Sequence, residues 1–97
     1  MLRKVSDRNR SKFEIIAEIL RELCKPTGRT NIISHCNMSF MQLGEYLSFM
    51  KSNDLIRIGA IAGKVTYQKT DAGREFLELY KKMVLLLNPS ISASFLI

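Results

Sequence analysis

The sequence predicts a mostly α domain with one small β-hairpin, in the order α-α-α-β-β-α. Apolar residues follow helical periodicity in three segments, a short fourth segment begins with a capping residue, and two short β-type runs flank a glycine-containing loop. Capping residues and helix breakers separate these segments. The chain has 97 residues, of which 46% are apolar and 25% charged. These values fit a single folded domain.

The first helix is predicted between Arg10 and Cys24. Its apolar residues fall on one stripe of a helical wheel, which Ile15 and Ile19 widen. Proline and glycine in "KPTG", residues 25–28, end it. The stripe consists of Phe13, Ile16, Ala17, Leu20, Leu23 and Cys24.

A second and a third helix follow closely. In "TNIISHCN" we expect Thr30 to be the N-cap of a short helix that turns Ile32 and Ile33 inward. Ser39 followed by Gln42 has the form of a capping box, so a third helix should run from there to about residue 51.

The third helix has two different faces. One contains Phe40, Leu43, Tyr46, Leu47 and Met50, which we interpret as mainly core residues. The opposite face contains Met41, Glu45, Ser48 and Phe49, with Gln42 at the border. Between Ser39 and Met50 there is no Lys or Arg. The outward face would therefore meet a ligand without a cation of its own.

A hairpin and a long helix complete the chain. "LIRIG" (55–59) and "KVTYQK" (64–69) are predicted strands joined by "AIAG". Thr70 should cap a last helix, which Asn88-Pro89 ends. Its apolar arc covers about half the circumference, more than one small core needs, so we expect a second subunit to cover part of it. The expected dimer interface consists of Phe76, Leu79, Tyr80, Met83, Leu86 and Leu87.

The net charge favours a polyanionic partner. Fifteen Lys and Arg residues against nine Asp and Glu residues give +6 and a pI near 9.6. Five cations (Arg3, Lys4, Arg8, Arg10 and Lys12) lie in the first twelve residues. Such a balance favours nucleic acid or an anionic surface.

Several functions are not expected. Cys24, Cys36 and His35 lack metal-ligand spacing, so we predict free thiols, no metal and no cofactor. No grouping of nucleophile, base and orienting acid predicts an enzyme. We find neither a signal peptide nor an apolar run of about 20 residues. We therefore expect a cytoplasmic, nucleoid-associated protein without membrane contact.

Three helices followed by a hairpin make a winged helix-turn-helix. The segments "RSKFEIIAEILREL", "NMSFMQLGEYLSFM..NDLI" and "YQKTDAGREFLELY" also resemble small archaeal winged-helix DNA-binding proteins, the ten-kilodalton type that dimerises through a C-terminal antiparallel coiled coil. The resemblance implies that the third helix is the recognition helix, that the hairpin between Arg57 and Lys64 is the wing, and that the last helix forms a homodimer.

These inferences define the expected sites on double-stranded DNA. Arg29 precedes the second helix, whose N-terminal amides suit a phosphate, and Arg57 and Lys64 bracket the hairpin tip. The expected nucleic-acid-binding residues are Arg8, Arg10, Lys12, Arg29, Thr30, Ser39, Phe40, Gln42, Arg57 and Lys64. The expected domains are a basic arm (1–9), the winged helix-turn-helix (10–69), the dimerisation helix (70–88) and an apolar tail (89–97).

Two alternatives remain open from the sequence alone. The fold could instead serve as a protein-interaction module, in which Met41 and Phe49 would form an exposed apolar patch. In the tail, Ile91, Ala93, Phe95 and Ile97 alternate with Ser92, Ser94 and Leu96. This period of two predicts either an extended segment on an apolar surface or a frayed end.

Overall fold

The computed structural model of the chain describes residues 10–87 and confirms the predicted order of elements. The basic arm, with Arg8, and the apolar tail lie outside the described residues. The elements are helix α1 Lys12–Glu22, α2 Arg29–Cys36, α3 Phe40–Ser52, strands β1 Ile56–Ile61 and β2 Lys64–Lys69, and helix α4 Asp71–Leu87.

The starts of α3 and α4 are fixed by the predicted caps. The Ser39 hydroxyl accepts the amide of Gln42 at 3.0 Å, and the Thr70 hydroxyl accepts the amide of Gly73 at 3.0 Å. Each bond satisfies one of the backbone donors that a helix leaves unpaired at its first turn. Both N-cap predictions are confirmed.

The first two helices begin elsewhere than expected. Ser11 caps α1 by accepting the amide of Glu14, so the helix begins at Lys12 and not at Arg10. The N-cap of α2 is Gly28, without a side-chain hydrogen bond. The prediction of Thr30 as that cap is wrong, because helical backbone already begins at Arg29.

The hairpin is longer and tighter than predicted. Ile61 pairs with Lys64, so only Ala62 and Gly63 form the loop, with φ values of 52° and 78°. Two central residues with positive φ form the two-residue turn that matches the twist of antiparallel strands. The four-residue loop expected at "AIAG" is therefore wrong, because its first two residues continue the β1 ladder.

A third extended segment lies along the free edge of β2. Thr27 donates its amide to the Tyr67 carbonyl at 3.0 Å and accepts the Tyr67 amide at 2.9 Å. This bridge fastens the loop between α1 and α2 to the hairpin. The start of α2 is thereby fixed beside the wing.

One core joins the four helices and the hairpin. It is formed by buried side chains of α1, α2, α3, the hairpin base and α4, among them Ile19, Leu20, Ile32, Leu43, Met50, Ile56, Tyr67 and Leu77. Two residues predicted in the α1 stripe are outside it. Phe13 is 60% exposed because it lies in the first turn, against Phe76 of α4 at a ring-centroid distance of 6.4 Å. Cys24 is exposed and lies two residues beyond the end of α1 at Glu22.

Helix α4 approaches the backbone before β1 very closely. A Cβ added to Gly73 would lie 2.2 Å from the carbonyl oxygen of Leu55. The same carbonyl accepts the Thr70 amide at 3.1 Å, and the Thr70 hydroxyl donates to the Asp54 carbonyl at 2.6 Å. No side chain fits at position 73 without displacing α4.

We predict that Gly73→Ala destabilises the fold, whereas Gly44→Ala stabilises it. Both glycines are helical, but a Cβ at position 44 would meet its nearest atom at an ordinary 3.8 Å. Gly73→Ala should lower the free energy of unfolding by about 2 to 3 kcal/mol through overpacking, and Gly44→Ala should raise it by about 0.5 to 1 kcal/mol through helix propensity. Urea unfolding of the three proteins measures both values. Equal stability of the two variants would contradict the close approach.

Candidate nucleic-acid interface

The first turn of α3 presents its side chains to solvent. Ser39, Phe40 and Gln42 are all exposed. Phe40 was expected to lie mainly in the core, but it is 61% exposed. Phe40 is the first residue of α3, and the buried residues Leu43 and Leu47 lie one and two turns further along the helix. The predicted entry point of the recognition helix is therefore accessible.

Arg29 joins three elements at this surface. Its Nε donates to the Tyr67 hydroxyl at 2.9 Å, and its guanidinium carbon lies 5.6 Å from the Phe40 ring centroid and 5.9 Å from that of Tyr67. A guanidinium stacked on aromatic rings loses conformational freedom but keeps its charge. The charge is thereby placed where α2, α3 and the hairpin meet.

A polar groove separates the start of α2 from the hairpin. It encloses about 430 Å³ and contains three of the predicted nucleic-acid-binding residues: Arg29, Thr30 and Lys64. Two of them are cations, and the backbone amides of the first turn of α2 carry partial positive charge. Its lining consists of Pro26, Gly28, Arg29, Thr30, Asn31, Ile61, Lys64, Val65 and Thr66.

Arg57 lies on the hairpin but does not line this groove. It is exposed and pairs across the ladder with Gln68, four residues from Lys64. Since side chains alternate along a strand, Arg57 and Lys64 project from the same face of the hairpin. They are separated by about 13 Å along the strand direction at ~3.3 Å per residue.

Arg10 is enclosed within the domain. Its side chain is 7% exposed, forms an ion pair with Glu18, and donates to the Cys36 carbonyl at 3.1 Å. It also reaches the Asn37 carbonyl at 3.5 Å, at the turn between α2 and α3. Burial raises the pKa of the Glu18 carboxyl, and the Arg10 charge opposes that rise. This geometry gives Arg10 a role in fixing the helix-turn-helix, whereas the sequence predicted it to contact nucleic acid.

Lys12 lies on a second groove, beside the outward face of α3. This groove encloses about 300 Å³ and is lined by Lys12, Gln42, Glu45, Tyr46 and Phe49. The structure therefore brings Lys12 together with Gln42, as two predicted contacts on one side of α3. Glu45 lies in the same groove, which therefore contains one carboxylate as well as one cation.

An apolar surface runs along α4. Phe76 and Tyr80 are half-buried, Leu79 and Met83 are exposed, and these four line a groove of about 240 Å³ together with Phe13. Leu86 and Leu87 continue the surface, with Leu86 84% exposed. Sequence reasoning missed Phe13 because its spacing fits the buried stripe of α1 equally well.

The described residues show little basis for other chemistry. Within residues 10–87, no three His, Cys, Asp or Glu side chains cluster as metal ligands would. Burial raises the pKa of the Cys36 thiol to about 12, so the nucleophilic thiolate is suppressed. None of the described helices is both long and apolar enough to cross a membrane.

Residues 9–88 match the model of the winged helix-turn-helix family, and the chain belongs to that family. Its structure is similar to the crystal structure of Sso10a-2, a DNA-binding protein from Sulfolobus solfataricus, with a TM-score of 0.73 and 22% sequence identity. The similarity covers 88% of this chain and 90% of Sso10a-2. These findings fit the resemblance to small archaeal winged-helix proteins. No functionally curated protein matches the chain.

We predict that Arg10→Met destabilises the domain by about 3 kcal/mol, the lower end for a buried pair that loses one partner. Removing Arg10 raises the pKa of Glu18 further. A carboxyl whose folded pKa is raised contributes stability below its unfolded pKa, near 4.5, and loses it as the pH rises through the folded pKa. The loss of stability caused by Arg10→Met should therefore be largest at neutral pH and become smaller in acid.

Thermal unfolding between pH 4 and pH 7 measures this loss of stability. Lys12→Met, which also removes one cation but from an exposed side chain, should change stability by less than about 0.5 kcal/mol. An Arg10→Met protein as stable as the original at neutral pH would contradict the structural role.

Proposed function

We propose that the protein is a homodimer that binds duplex DNA mainly through phosphate contacts, as a transcription regulator or a chromatin-type architectural protein. One observation carries the proposal: the cationic groove of Arg29, Thr30 and Lys64 lies directly beside the exposed first turn of α3. The likeness to Sso10a-2, described as a DNA-binding protein, supports it. Such a protein would be cytoplasmic and nucleoid-associated.

The groove suits a phosphate of the DNA backbone. Arg29 offers a charge already oriented by Tyr67 and Phe40, so less conformational entropy is lost when it binds. Thr30 is exposed in the first turn of α2, where a hydroxyl and backbone amides can donate to an anion. Lys64 adds a second charge from the opposite wall.

The remaining contacts surround α3. Arg57 continues the cationic face of the hairpin, and Lys12 lies on the far side of α3. In this arrangement the phosphate backbone is contacted on both sides of a helix that has no cation between residues 39 and 50. Phosphate contacts fix position without carrying sequence information, so we expect modest sequence preference.

The apolar surface of α4 suits a second copy of the chain. It combines exposed Leu79, Met83 and Leu86 with half-buried Phe76 and Tyr80. Each large side chain that becomes fully buried in a dimer contributes on the order of 1.5 to 3 kcal/mol. A dimer also doubles the number of phosphate contacts per complex, which raises affinity steeply at low salt.

A protein-interaction function is the second candidate, because Met41 and Phe49 are both exposed. In that case α3 would dock a protein, and duplex binding would be absent. The cationic groove beside α3 favours DNA, since an apolar docking surface does not require it.

We predict that Lys64→Ala weakens binding to unrelated duplexes alike. Each lost phosphate contact should lower the slope of log affinity against log salt by about 0.9, and thus by nearly two for a dimer. Arg74→Ala is the matched control, because this exposed cation on α4 is already paired with Asp71 at 3.0 Å. Fluorescence anisotropy with two unrelated duplexes over a salt series measures the slopes.

In the same assay, the original protein distinguishes the DNA-binding function from the protein-interaction function. Absence of duplex binding at low salt would refute the DNA proposal and favour the interaction module. An unchanged slope in Lys64→Ala, with binding retained, would remove Lys64 from the contacts.

We further predict that Met83→Glu combined with Leu86→Glu produces monomers. Both side chains are exposed in the single chain, so the substitutions should spare its fold but place four carboxylates in the dimer interface. Arg74→Glu lies on the opposite side of α4 from Met83 and should leave the dimer intact. Sedimentation at micromolar concentration measures the mass. A monomeric original protein would contradict the dimer.

A further inference from the structure

The outward face of α3 has an unusual chemistry for a helix proposed to enter a DNA groove. Met41 is 76% exposed, and among the described large apolar side chains only Leu86 and Leu87 of α4 are more exposed. Gln42 is its exposed neighbour, and Glu45 follows one helical turn later. An extended thioether and an amide thus lie together at the start of the helix.

This combination matches one class of base pair. In the major groove adenine offers an acceptor and a donor that a glutamine amide can engage together, and thymine adds a methyl group that favours apolar contact. Guanine is engaged best by Arg or Lys, which α3 lacks between residues 39 and 50. The outward face therefore complements A·T pairs better than G·C pairs.

Met41 and Phe40 differ in their freedom to meet a base. The Phe40 ring centroid lies 5.6 Å from the Arg29 guanidinium carbon, and the Tyr67 ring contacts the same guanidinium. Met41 is an unbranched side chain with three rotatable bonds, which can adapt its sulfur and methyl group to a neighbouring apolar group. Of the two, Met41 is the better partner for a methyl in the groove.

We propose that Met41 is a specificity-determining residue that packs against the C5-methyl group of thymine, with Gln42 engaging adenine, so that the protein prefers A·T-rich duplex. This inference rests on the proposed DNA binding. Most of the affinity still comes from the phosphate contacts, and Met41 adds to it only at sequences that place a thymine against its side chain. Burial of one methyl-sized apolar group should increase affinity about fourfold per contacted thymine.

Replacing thymine by deoxyuridine tests the inference directly. Deoxyuridine removes the methyl group and keeps the hydrogen-bonding edge of the base unchanged. The full chain should bind an A·T-rich duplex about fourfold more tightly than its deoxyuridine counterpart for each contacted site. Met41→Ala should bind both duplexes alike, with the affinity that the original protein has for the deoxyuridine duplex. Its salt slope should equal that of the original protein.

Phe49→Ala is the matched control, because Phe49 is an exposed apolar residue at the other end of α3. It should keep the preference for thymine. Circular dichroism confirms that each variant is folded. Equal affinity of the original protein for both duplexes would overturn the role of Met41, as would a thymine preference that persists in Met41→Ala and therefore arises from duplex shape. In both cases the proposed DNA binding stands, because the duplexes are bound. Absence of binding to either duplex would instead refute that proposal, and this inference with it.

Discussion

The close contact between α4 and the segment before β1 sets the geometry of the whole domain. Asp54 and Leu55 connect α3 to the hairpin, and both of their carbonyls accept hydrogen bonds from Thr70. Gly73 lets the α4 backbone lie against the same segment. One short stretch thus fixes the end of α3, the base of the hairpin and the direction of α4. In the proposed dimer, the spacing of the two DNA-contacting surfaces depends on this contact.

The cationic groove and the uncharged side chains at the start of α3 lie on different elements of the fold. The cations that the structure brings together lie on α2 and the hairpin, whereas the exposed start of α3 offers an aromatic ring, a thioether and an amide. Phosphate contacts depend on salt and hardly on sequence, and base contacts have the opposite dependence. In the proposed complex with DNA, Lys64 could therefore be substituted to change affinity, and Met41 to change sequence preference.

Two of the helix caps were predictable from the sequence, whereas features that depend on distant partners were not. Ser39 and Thr70 cap helices through residues three positions away, so a short window of sequence contains the whole interaction. Phe13 and Phe40 match the apolar periodicity of their helices but lie in first turns, beyond the core. Periodicity predicts the side of the helix on which a residue lies. It does not predict whether another element covers that residue.

The same distinction applies to the candidate site. Arg29, Thr30 and Lys64 were predicted singly, and only the fold brings them to one groove. In the sequence Arg10 is one of several cations near the start of the chain, and such cations are usually exposed. Its partner carbonyls, however, are 26 and 27 residues away in the chain. No sequence pattern signals that enclosure. For residues outside 10–87, including Arg8, the expectations from the sequence stand as predictions.

The two cysteines differ in exposure, and this difference can be used to measure local opening of the helix-turn-helix. Cys24 is exposed, whereas Cys36 is buried between α1 and α2 with a pKa of about 12. Thiol reagents attack the ionised sulfur, and burial of Cys36 both raises its pKa and shields the sulfur from solvent. Alkylation of Cys36 therefore requires α2 to separate from the core, so its rate relative to that of the exposed Cys24 would report how often the helix-turn-helix opens.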